Sequence, residues 1–223
     1  SCPENLTLHY IQHTFEYIIE DLNIHKFSLA GSSYGGYLAA LYALDNPQKL
    51  DKLILISPLG YQQEIPWILN YVTTSGMDVL NKYFQPSTVI STIVDNFYGN
   101  ADNIKRVNLD RYIHLAQSEG AHASNVYQLK RVRQLMEHGM LFDMSDIQTP
   151  TLLMWGEKDS WASFEHAARW QEALNDATLA SYPLAGHALM EETADLSSAD
   201  AIAFITGEPL PSVEGLGTGG TFT

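Results

Sequence analysis

Residues 29–36 read Leu29-Ala30-Gly31-Ser32-Ser33-Tyr34-Gly35-Gly36, two adjacent serines set among small residues. The run Gly31-x-Ser33-x-Gly35 fits the pattern G-x-S-x-G, in which a serine sits on a sharp turn between a strand and a helix. The demand of such a turn is geometric. Bulky side chains two positions from the serine would collide, and Gly31 and Gly35 remove them, while Gly36 lets the helix lie close to the strand. Ser33 is the only serine centred in this pattern, and Ser32 falls at its variable position. The competing reading is a small-residue turn that merely permits close helix packing, so the flanking sequence has to decide.

The flanks supply the right context. Before the motif, Lys26–Ala30 is a short apolar run that reads as a buried strand. After it, Tyr34–Leu44 is rich in Ala, Leu and Tyr and reads as a helix stopped near Asn46-Pro47. Upstream, apolar residues from Glu4 to Leu22 recur at helical spacing, and downstream Leu53–Ile56 reads as a second strand. Residues 1–60 therefore alternate helix, strand, helix, strand, as a parallel α/β sheet does. From 61 to 146 no convincing strand appears. Amphipathic stretches at Ile65–Tyr71, Pro86–Tyr98, Asn103–Ser118 and Ser124–Glu137 predict a helical insertion. Alternation resumes over 147–206, with strands at Thr151–Trp155 and Thr178–Tyr182 and helices at Phe164–Leu174 and Ser198–Ile205. From Gly207 to the end, "GLGTGGTFT" included, the chain lacks apolar content to pack and is expected to be a disordered tail.

A serine hydroxyl reacts only when a base takes its proton, and the base needs an orienting acid. On a strand-turn-helix serine of this kind the chain order is Ser, then Asp or Glu, then His. Asp159 lies in the loop after the strand in "LLMWGEKDSW", and His187 in the loop after the last strand in "YPLAGHALMEE". Both positions are at strand C-terminal ends, where an open α/β sheet gathers functional residues. Singly, Asp159 could open a helix and His187 could be an ordinary hydrogen-bonded loop histidine. Jointly, three coincidences in the right order would be needed, and a catalytic triad Ser33–His187–Asp159 is the better reading. Glu157 is the rival acid, less well placed in its loop. His9 and His13 stand four apart but lack the glutamate of H-E-x-x-H and a third ligand. His114, His122, His138 and His166 carry no paired motif, and no phosphate-binding glycine motif occurs. Neither a metal nor a cofactor is expected.

Bulk composition narrows the partners. The chain has 223 residues, 45% of them hydrophobic, with 26 acidic and 12 basic residues for a net charge of −14. Such a surface repels nucleic acid and anionic lipid, so a small-molecule substrate is expected. Cys2 is the single cysteine, so no disulfide closes within the chain, which suits a reducing, cytoplasmic setting. No apolar run approaches the roughly 18 residues of a membrane span. The sequence starts Ser1-Cys2-Pro3 and not with methionine.

Three segments together resemble the α/β-hydrolase superfamily, specifically its cap-bearing serine hydrolases. "SLAGSSYGGYLAALYALDNPQKLDKLILISPLGY" (28–61) is similar to the serine turn with its following helix and strand, "PTLLMWGEKDSW" (150–161) to the acid loop, and "LAGHALMEE" (184–192) to the histidine loop. The likeness spans about Glu4 to Thr206. It implies a mostly parallel sheet flanked by helices, a helical cap at 61–146, and the Tyr34 amide as an oxyanion-hole donor. It also implies an apolar substrate pocket, for which Trp67, Tyr71, Phe84 and Tyr98 are candidate wall residues. Serine at the turn, where aspartate would stand, argues against the haloalkane dehalogenase and epoxide hydrolase branches. Within the serine branch, esterases, C–C bond hydrolases, aminopeptidases and cofactor-free haloperoxidases all remain open, as does a non-catalytic binding relative. The family carries further strands and a second oxyanion donor before the serine, so the chain is expected to be the C-terminal part of a longer hydrolase.

Overall fold

The computed structural model describes residues 8–81, 83, 84 and 86–212. Helix α1 (Leu8–Asp21) leads into β1 (Phe27–Ser32), α2 (Tyr34–Asp45) and β2 (Leu50–Ile56). Five helices follow: α3 (Trp67–Thr73), α4 (Met77–Asn81), α5 (Ser87–Asp95), α6 (Arg106–Ala116) and α7 (Ala121–His138). The chain then forms β3 (Thr151–Gly156), α8 (Glu165–Ala173), β4 (Ala177–Tyr182), α9 (Leu189–Glu192) and α10 (Ala194–Thr206). Residues 4–7 of the expected first helix lie outside the described residues, as do 213–223. Helix α4 escaped the sequence reading because five residues are too short to display a helical period.

The four strands pair in the order β1-β2-β3-β4, every pair parallel. Ser32 stands opposite Ile56, Ile56 opposite Met154, and Met154 opposite Ala180. All four strands therefore end along one edge of the sheet, and the loops that follow β1, β3 and β4 emerge together.

Alternate residues of the central strands serve two cores, which is why these strands read as unbroken apolar runs. Leu53, Leu55, Leu153 and Trp155 join Tyr37, Tyr42 and Trp170 on the face covered by α2 and α8. Ile54, Leu152 and Met154 join Tyr182, Leu189 and Ala203 on the face covered by α10. Phe15 of α1 meets Tyr42 edge-on at 5.0 Å, tying the first helix to α2. Leu210 is buried in the second core, and the Ser212 amide donates to the Asp200 carboxylate at 2.9 Å. The expectation of an unpacked tail from Gly207 therefore does not hold for 207–212, because one leucine and one buried carboxylate suffice to hold that segment.

Candidate active site

Ser33 is the residue between β1 and α2, and its backbone takes φ 56° and ψ −120°. This is a strained region for a side chain with a Cβ. Main-chain bonds hold it there. The Ser33 amide donates to the Ile56 carbonyl (2.9 Å), and the Ser33 carbonyl accepts from the amides of Gly36 (3.0 Å), Tyr37 (3.2 Å) and Leu59 (3.2 Å). A Cβ on Gly31 would lie 2.3 Å from the Gly35 carbonyl oxygen, and one on Gly36 would lie 2.9 Å from Cβ of Pro58. Both glycines are thus required by close approach. Gly35 is different: a Cβ there would meet nothing within 4 Å. The steric role assigned to it from sequence is therefore carried by Gly31 and Gly36. Tyr34 opens α2, and the first amides of a helix have no acceptor within it.

Asp159 follows β3 by three residues and His187 follows β4 by five. The structure brings them together: Asp159 Oδ2 lies 2.8 Å from His187 Nδ1, with the carboxyl fully buried. The other oxygen, Oδ1, accepts the amides of Trp161 and Ala162, each at 2.8 Å. With Oδ1 occupied by two main-chain N–H groups, Oδ2 is the oxygen turned to the histidine, and the tautomer that bonds an ionised carboxylate there carries its proton on Nδ1 and leaves Nε2 as an acceptor. Glu157, the rival acid, is exposed and its Oε1 accepts from the Ser181 hydroxyl at 2.8 Å, out of contact with His187.

The histidine loop is seated by main-chain contact on two sides. A Cβ on Gly156 at the end of β3 would come within 2.3 Å of the Gly186 carbonyl oxygen, and one on Gly186 within 2.5 Å of the Gly99 nitrogen. The Ala188 amide donates to the Phe97 carbonyl at 2.9 Å. Phe97, in the segment after α5, sets its ring 5.6 Å from the His187 ring and 4.9 Å from that of Trp161. Trp161 stacks on His187 at 6.2 Å. His187 therefore has Asp159 at one nitrogen and two aromatic rings beside it.

Phe97 also opens onto the helical insertion. With Ile90, Val94, Tyr112, Leu115 and Leu129 it lines a cavity of about 250 Å³ to which Asn125 and Gln128 contribute the amides. No charged side chain lines it. The wall residues named from sequence are elsewhere. On α3 the buried face is Ile68, Leu69 and Val72, while Trp67 and Tyr71, four apart at 63% and 44% exposure, line a separate open cleft of about 240 Å³ with Thr88, Val89 and Thr92 of α5. Phe84 is 61% exposed. Tyr98 is buried, but its hydroxyl is spent on Glu191. Phe97 and Trp161 were missed because a lone aromatic carries no periodic signal, although Trp161 stood only two residues beyond the acid.

Two carboxylates of α9 complete the surroundings. Glu191 accepts from Arg111 (2.6 Å), Tyr112 (2.9 Å), Asn108 (2.9 Å) and Tyr98, all from the insertion. Burial and this carboxylate push the Tyr98 hydroxyl up to about 12, so it remains a donor throughout the neutral range. Glu192 accepts the amides of Gly186 (2.6 Å) and Gly99 (3.0 Å). Both lie within the quoted histidine loop, yet nothing in "LMEE" distinguishes a paired glutamate from a solvated one. His9 and His13 meet edge-on at 4.2 Å on α1, and no cluster of three or more metal-ligating side chains occurs among the described residues.

Set beside known proteins, residues 8–194 match the family described as serine aminopeptidase, S33. The chain is 26% identical over 192 residues to the 2-hydroxy-6-oxo-6-phenylhexa-2,4-dienoate hydrolase of Comamonas testosteroni, covering 84% of this chain and 65% of that protein. It is 25% identical over 180 residues to the 2-hydroxy-6-oxononadienedioate/2-hydroxy-6-oxononatrienedioate hydrolase of Cupriavidus pinatubonensis, covering 76% and 58%. The chain thus spans less than two thirds of the length of these relatives. Among solved structures, the meta-cleavage product hydrolase of Pseudomonas fluorescens superposes with a TM-score of 0.79 at 18% identity, over 93% of this chain and 75% of that one.

Proposed function

Since the chain belongs to the α/β-hydrolase family described as serine aminopeptidase, S33, we propose that it performs serine-hydrolase chemistry with Ser33 as nucleophile, His187 as general base and Asp159 as the acid that orients it. The observation that carries this reading is the 2.8 Å contact between Asp159 and His187, formed by loops that leave the same sheet edge as the strained Ser33. His187 Nε2 takes the proton of the Ser33 hydroxyl as Oγ bonds to the carbonyl carbon. The Tyr34 amide donates to the oxygen on which negative charge develops. Collapse of that adduct breaks the bond to the leaving group, which departs with the proton held by His187. Water, deprotonated by His187, then attacks the acyl-enzyme, releases the acid and restores Ser33.

The cavity beside Phe97, in contact with the ring next to His187, is the proposed substrate pocket, in preference to the cleft beside Trp67 and Tyr71. Apolar space of about 150 Å³ is enough for benzene, so about 250 Å³ accommodates a phenyl ring with a short extension. An ester-like carbonyl is the general substrate class. The names of the two relatives favour a second reading within the same chemistry, cleavage of a C–C bond beside a ketone.

A serine-reactive fluorophosphonate tests the reading. We expect one adduct, on Ser33, absent in Ser33→Ala and His187→Ala, with Asp159→Asn slowed by about 10⁴. An unlabelled wild-type protein, or a label that persists in Ser33→Ala, would overturn it.

A further inference from the structure

Glu192 has a carboxylate with an unusual job. Among the described residues it makes no ion pair, and its partners are two main-chain amides: Gly186, the residue before His187, and Gly99, two residues after Phe97. One oxygen, Oε1, accepts from both, at 2.6 and 3.1 Å. Hydrogen bonds to an ionised acceptor are about twice as strong as neutral ones, so a single side chain joins two segments far apart in the sequence. Those segments are in contact already, since a Cβ on Gly99 would come within 2.4 Å of the Leu184 carbonyl oxygen. Beside Glu192, Glu191 collects four side-chain donors from Tyr98, Asn108, Arg111 and Tyr112. The next-door carboxylate therefore anchors the same insertion, and α9 cannot shift without moving both.

We propose that Glu192 is a positioning residue for His187: by bridging the amides of Gly186 and Gly99 it fixes the histidine loop against the insertion segment that carries Phe97. This rests on the serine-hydrolase reading above and adds to it how the base is aimed. Asp159 sets the tautomer and one end of the imidazole, but a ring held at one nitrogen can still swing about that contact. The Phe97 ring beside it limits the swing, and Glu192 sets where Phe97 stands relative to the loop. Displacements near 1 Å in a reacting group can cost about 10²-fold in rate.

The test compares wild type with Glu192→Ala, Glu192→Gln and Glu192→Asp in the second-order rate of fluorophosphonate labelling at Ser33. The far-downfield proton resonance of the His187 Nδ1–H bond to Asp159 and the melting temperature are followed in parallel. We expect Glu192→Ala to label about 10–100-fold more slowly, with the His187 resonance broadened or shifted. Glu192→Gln keeps a carbonyl oxygen at the bridging position and should recover most of the rate. Glu192→Asp, one methylene too short to reach both amides, should resemble the alanine variant. If Glu192→Ala does not fold, Glu192→Asp decides by the same two readouts. Labelling at the wild-type rate with an unmoved resonance in whichever variant decides overturns the positioning role alone. A wild-type protein that does not label overturns the hydrolase reading and this inference with it.

Discussion

Ser33 holds φ 56° and ψ −120° although it has a Cβ, a conformation that costs about 1–3 kcal/mol. Ser33→Gly should therefore raise the free energy of unfolding by about 1 kcal/mol while abolishing labelling, measurable by chemical denaturation. An unchanged or lower stability would mean that the turn stores no strain. The three glycines around it should separate sharply in the same assay. Gly31→Ala drives a methyl to 2.3 Å from a main-chain oxygen and should cost about 2–3 kcal/mol or prevent folding. Gly35→Ala meets nothing within 4 Å and should be neutral or stabilising by at most about 1 kcal/mol. The motif Gly31-x-Ser33-x-Gly35 was legible as a pattern, but which of its glycines is sterically required depends on where Pro58 and the carbonyls fall in space. That is not written in five letters.

The alternation of short apolar runs with amphipathic stretches locates the four strands and most of the helices seen among the described residues. It could do so because strands buried on both faces and helices with one apolar stripe have distinct periods. Orientation of the short helices was not legible in the same way. Whether Trp67 or Phe97 faces the histidine loop depends on how α3 and α5 pack, which their own few residues do not encode. Strand β3 is buried at every position, and Leu153→Ala at its centre should cost about 2–5 kcal/mol. Helix α8 carries a pH dependence. Burial, with Arg169 nearby, lowers the affinity of His166 for a proton below its ordinary value. The unfolded chain binds that proton more readily, so the contribution of His166 is present above about pH 6.5 and is lost as pH falls through the folded value. Replacing His166 by Leu should flatten the melting temperature between about pH 7 and 5, and an unaltered slope would contradict this.

At the scale of the whole molecule, 26 acidic against 12 basic residues leave a net charge of −14 that repels itself in the folded state. Raising NaCl shortens the Debye length from about 10 Å at 0.1 M to about 3 Å at 1 M, so the melting temperature should rise over that interval. A fall would mean that the surface ion pairs outweigh the repulsion. Composition made this charge legible at once, whereas the seat of the histidine loop was hidden because it joins distant parts of the chain. Gly99 and Glu192 are separated by 93 residues. Contacts so remote form only after the entropy of closing a long loop has been met. Helices and the β1–β2 pair can assemble locally, but the ledge that receives His187 does not exist until the insertion has docked. During refolding, helical circular dichroism should therefore return first, and reactivity at Ser33 should lag behind it as the last property the chain acquires.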